Sequence, residues 1–143
     1  MSEPDEALAV DREAMRVAKA SYERCRESDA FFRSFYRNFF TACPQAEPMF
    51  AKTDFDRQIR LLRHAVGLLL IFSTQPKDEP TILTRVAERH SRRDLDTPPE
   101  FYGDFVDALI ETVAEFDPAF TSDVAVAWRR TVASGIDYMQ SKY

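Results

Sequence analysis

A chain of 143 residues with 24 acidic and 19 basic side chains has a formal charge of −5, which argues against nucleic acid or an anionic membrane as its main partner. Its 45% hydrophobic and 30% charged residues describe a single folded domain able to bury a core, not a disordered segment. The longest apolar run, residues 65–72, is too short to span a bilayer. The acidic start lacks the basic and apolar regions of a secretory leader. Two cysteines, Cys25 and Cys43, make no disulfide framework. A cytoplasmic protein with reduced thiols is expected.

Eight prolines and only three glycines leave long proline-free stretches rich in Ala, Leu, Arg and Glu, a composition that favours helix. No repeat and no strand-like alternation is present, so the predicted class is all-α. Behind an acidic tail of about residues 1–8, a first helix is predicted over residues 6–26, with Val10, Met15 and Val17 inward. Ser28 or Asp29 should cap a second helix. That helix carries Phe31, Phe32, Phe35, Tyr36, Phe39 and Phe40 as one aromatic face and stops before Pro44.

A third helix begins near Asp54, with Phe55, Ile59, Leu62, Val66, Leu69 and Leu70 on its inner side and Gln58 beside them. After a polar, proline-flanked loop, a short helix from Thr81 places Leu83, Val86 and His90 at i, i+3 and i+7. Thr97-Pro98 predicts the start of a helix bearing Phe101, Phe105, Leu109, Val113 and Phe116. The last helix follows Pro118, with Thr121 as cap and Val124, Trp128, Gly135, Ile136 and Met139 along it.

The only two histidines differ in setting. His64, among Arg60 and Arg63, faces outward. His90 lies on an apolar face near a helix end, where a hydrogen-bonded core histidine and a ligand are both open readings. No cluster at zinc spacing, no glycine-rich phosphate loop and no nucleophile in a catalytic turn accompanies them. Periodicity therefore leads to a helical globule with one buried-looking histidine.

Five motifs carry a resemblance. Phe35-Tyr36-Arg37-Asn38-Phe39-Phe40-Thr41-Ala42-Cys43-Pro44 followed by Phe50 resembles the second helix and corner of bacterial globins, the family of flavohaemoglobin haem domains and single-domain bacterial haemoglobins. Residues 58–67 resemble their distal helix, Val86-Ala87-Glu88-Arg89-His90 the proximal one, Pro99-Glu100-Phe101-Tyr102 the next helix, and residues 120–128 the start of the last. The motifs fall in one order from about residue 10 to 140.

The resemblance implies a single three-over-three globin domain over residues 1–143 that holds haem b, with His90 as proximal iron ligand. It places Tyr36 and Gln58 over the open coordination position. Arg57 and Arg60 are the alternatives to Gln58 if the corner at Pro48 is counted differently; Gln58 is preferred because it turns Phe55, Ile59, Leu62 and Val66 inward together. The implied walls are Phe35, Phe50, Phe55, Leu62, Val86, Leu95, Phe105 and Leu109. Arg89, with Arg92 and Arg93, is either a partner of the haem propionates or a solvated helix end.

Tyr102 matches a tyrosine that bonds the proximal histidine in flavohaemoglobins. Their late glutamate has no acidic counterpart where this chain reaches Tyr143, which implies a weaker push on the iron. The ligand implied is dioxygen or another diatomic gas, for storage, delivery or sensing. Two further readings are nitric oxide dioxygenation with an external reductase, and a haem-free interaction module that forms a homodimer through the last two helices.

Overall fold

The computed structural model describes residues 3–143, and among them helices joined by turns and loops are present without any strand. Six α-helices follow one another: α1 (Glu3–Cys25), α2 (Asp29–Ala42), α3 (Phe55–Ile71), α4 (Thr84–His90), α5 (Phe101–Phe116) and α6 (Ser122–Ser141). Short 3-10 segments, Pro44–Phe50 and Phe72–Thr74, follow α2 and α3. One layer of α1, α3 and α4 rests on a second of α2, α5 and α6. Within this arrangement α1, α3 and α4 all touch α6, and α2 packs along α5.

Local chemistry sets most helix starts. The Ser28 hydroxyl accepts from the Ala30 N–H at 3.2 Å. Asp54 accepts from the N–H groups of Asp56 and Arg57, and Thr121 accepts from Val124 N–H. Each satisfies backbone donors that the first turn leaves without a partner. Helix α2 ends at Ala42, two residues before Pro44, as the missing proline N–H requires.

Three boundaries or faces differ from the sequence expectation. First, α1 is helical from Glu3, so the described part of the acidic tail belongs to the helix, while residues 1 and 2 lie outside the described residues. Its buried stripe is Ala14, Ala18, Ser21, Tyr22 and Cys25; Val10 is 49% exposed, and Met15 and Val17 are half-buried. Small residues let α1 approach α6 closely, and a reading by hydrophobicity alone overlooks them.

Second, α4 starts at Thr84, not Thr81. Thr84 Oγ1 accepts from Thr81 N–H at 2.7 Å and Thr81 Oγ1 accepts from Leu83 N–H at 3.2 Å, which holds residues 81–83 in a turn. Third, α5 starts at Phe101. Thr97 and Pro98 each precede a proline, which disfavours helical geometry at both, and Phe101 and Tyr102 donate back to the carbonyls of Pro98 and Pro99 in a tight turn.

The core is aromatic. Phe31, Phe32, Phe35 and Trp128 are fully buried, and Phe31 meets Phe32 edge to face at 5.0 Å. One polar lock crosses it. The buried Asp117 carboxylate accepts from Ser21 Oγ (2.6 Å), Arg24 Nε (2.6 Å) and Nη2 (2.9 Å), and Ala119 N–H (2.8 Å). Trp128 Nε1 donates in turn to Ser21 Oγ at 2.9 Å. Burial by itself raises this carboxyl, but the donors outweigh it and hold Asp117 at about 2. The lock ties α1 to the α5–α6 corner and fixes the frame on which the site stands.

Candidate functional site

Between the middle of α2 and the start of α3, Gln58 Nε2 donates to the Tyr36 hydroxyl at 2.9 Å. The Asp54 cap makes this meeting possible. It fixes the first turn of α3 so that Phe55, Gln58 and Leu62, at i, i+3 and i+7, lie on one face. The ring of Tyr36 lies 5.2 Å from Phe35 and 5.5 Å from each of Phe50 and Phe55. Phe35 in turn meets Phe105 of α5 at 5.0 Å. Tyr36 is buried, and burial, partly offset by the Gln58 donor, pushes its hydroxyl up to about 12. At neutral pH it is a protonated donor.

The second half of the candidate site is α4. His90 is its last residue and is half-buried. Its Nδ1 lies 2.7 Å from the Val86 carbonyl oxygen. A carbonyl only accepts, so Nδ1 carries the proton and the ring's lone pair is on Nε2. Burial lowers the His90 pKa against the opposing pull of the Val86 bond, which favours the neutral ring. His64, by contrast, is exposed on α3.

Of the residues singled out in the sequence, Tyr36, Gln58, Phe35, Phe50, Phe55 and Phe105 form one connected group. Leu62 and Leu109 are buried, and Val86 is half-buried against the core. Arg57 and Arg60, the alternatives to Gln58, are both exposed. Tyr102 is buried, and desolvation raises its hydroxyl to about 12.

Two of the expected site residues sit toward the surface. Leu95 is 41% exposed on the turn after α4. Arg89 forms an exposed ion pair, both oxygens of Asp94 accepting from its Nη1 at 2.7 and 2.9 Å. Arg92 is also engaged, its guanidinium lying over the Tyr143 ring at 4.9 Å. The sequence reading missed these local partners, although the spacing of five between Arg89 and Asp94 was visible in it.

Among the described residues no group of three or more His, Cys, Asp or Glu side chains is placed to hold a metal ion by itself. No helix is long and apolar enough to cross a membrane.

A sandwich of six helices, three packed on three, is the architecture of the globin class. The family model described as Globin matches residues 33–139, and the chain belongs to the globin family. A crystal structure from Pseudomonas aeruginosa PAO1, described as that of a protein structurally highly homologous to a human hemoglobin, is 36% identical in sequence. It superposes with a TM-score of 0.84, covering 91% of this chain and 98% of that one. No curated protein matches. Globins as a family hold haem, and the chain's own residues fit that group: an unprotonated Nε2 on a half-buried imidazole that ends α4, and an aromatic cluster drawn from α2, α3 and α5.

Proposed function

We propose that this globin binds haem b through His90 and holds dioxygen, or another diatomic gas, beneath Tyr36 and Gln58. When bound, the ferrous haem supplies an open coordination position for such a ligand. His90 Nε2 holds the group, and the Nδ1–H bond to the Val86 carbonyl fixes the ring's tautomer and orientation. Phe35, Phe50, Phe55, Leu62, Val86, Phe105 and Leu109 exclude water, which keeps the site at low dielectric.

The observation that carries this reading is the Gln58–Tyr36 bond. Because the Tyr36 oxygen accepts from Gln58, its own proton remains available to a ligand atom with partial negative charge. Gln58 aims the phenol, and the phenol donates. A buried bond of this kind is worth about 1–3 kcal/mol, or roughly tenfold or more in ligand dissociation. The test is the visible spectrum of the haem-loaded, reduced protein on admission of air. A stable oxygenated spectrum supports the proposal; immediate oxidation to the ferric form in the parent protein, no slower than in Tyr36→Phe, contradicts it.

A further inference from the structure

Helix α4 has seven residues, too few to be stable as an isolated helix, and Leu83 gives its start no side-chain cap. Its placement must be imposed from outside, and the loop before it supplies a single carboxylate for that purpose. Glu79 Oε2 accepts from the hydroxyl of Thr84, the first residue of α4, at 2.9 Å. The Tyr138 hydroxyl on α6 lies 3.0 and 3.1 Å from the two Glu79 oxygens and 2.8 Å from Thr84 Oγ1. Lys142, the residue that caps the C-terminal end of α6, has its Nζ 2.9 Å from Glu79 Oε1. Lys142 first, and then Thr84, hold Glu79 below the ordinary carboxylate range.

We propose that Glu79 and Tyr138 are positioning residues for His90, pinning the N-terminal end of α4 to α6 so that the imidazole at its other end has one place to stand. Thr84 and His90 are six residues apart, about 9 Å along a helix axis. A tilt of about 10° at Thr84 therefore carries the ring by about 1.6 Å at that lever length, a displacement large enough to strain or break a metal–nitrogen bond. The Tyr138 ring is held in place independently by Phe72, at 5.2 Å, so its hydroxyl is the separable part. The consequence for iron rests on the reading of His90 as its ligand; the pinning itself does not.

Tyr138→Phe keeps the ring on Phe72 and deletes the hydroxyl, and Glu79→Gln keeps one acceptor oxygen. Amide hydrogen exchange on the haem-free chain should become about tenfold faster over residues 84–90 in Tyr138→Phe, the size expected for one lost hydrogen bond. Glu79→Gln should be intermediate, and α2 unchanged in both. In the ferrous, haem-loaded protein the iron–imidazole stretching band should shift or broaden in Tyr138→Phe, a readout that a general loss of stability does not move. Unchanged exchange over residues 84–90 overturns the proposal. Failure of the parent chain to take up haemin would sink the reading of His90, and the exchange result would still decide the pinning.

Discussion

Gln58 Nε2 and the Tyr36 hydroxyl, 2.9 Å apart, join the first turn of α3 to the middle of α2, and the direction of that bond assigns their roles. Tyr36 has one proton to give and Gln58 leaves it free. Tyr36→Phe should therefore speed dioxygen dissociation by about tenfold or more. Gln58→Leu should do so by less, because the phenol stays. Since both act through one donor, the double variant should match Tyr36→Phe alone. Stopped-flow displacement of oxygen by carbon monoxide measures all three; strictly multiplicative effects would show that the residues act independently.

Asp117 makes stability depend on acid. Its carboxyl has an ordinary value of 3.8 and is held at about 2 in the fold. A depressed carboxyl contributes fully above its unfolded value and loses its contribution as pH falls toward the folded one. Asp117→Asn should cost about 2–3 kcal/mol at neutral pH, as it breaks a buried, charge-assisted set of bonds. Denaturant unfolding should show that difference constant above pH 5 and shrinking below pH 4. A difference that persists undiminished at pH 2.5 would rule out this account of the lock.

Two glycines in helices should respond in opposite senses. A Cβ at Gly67 in α3 would meet nothing within 4 Å, so Gly67→Ala should gain about 0.5–1 kcal/mol from helix propensity. A Cβ at Gly135 in α6 would lie 2.8 Å from Leu69 Cδ2 and 3.1 Å from Leu83 Cδ1. Both leucines are buried and have little room to yield, so Gly135→Ala should lose its propensity gain and lower Tm. Thermal unfolding of the two variants side by side is the measurement. A gain in both would mean that α6 can retreat from α3 at no cost.

The class of fold was legible because the buried faces of α2, α3 and α6 are written in large apolar residues at helical spacing, and because Ser28, Asp54 and Thr121 are caps by their own chemistry. The stripe of α1 was not, since Ala14, Ala18 and Ser21 give no hydrophobic signal and acquire meaning only against α6. Tyr36 and Gln58 could be singled out, yet their bond joins residues 22 apart in sequence. The Ser21–Asp117 bond spans 96 residues and the Tyr138–Glu79 bond 59. Contacts of that range depend on how helices cross, which no local pattern encodes. The exposure of Leu95 has a different, local origin: its turn is shaped by backbone bonds from Leu95 to Arg89 and from Asp96 to Ser91, not by its own side chain.

The proposed function depends most on one nitrogen, His90 Nε2, and titration of the haem-free chain with haemin, followed at the Soret band, tests it most directly. The parent should take up one haemin per chain and, once reduced, give the band of a ferrous haem held by imidazole. His90→Ala should lose that band, and added imidazole should restore it. A His90→Ala protein that binds haemin as tightly as the parent, with the same reduced spectrum, would contradict the central claim.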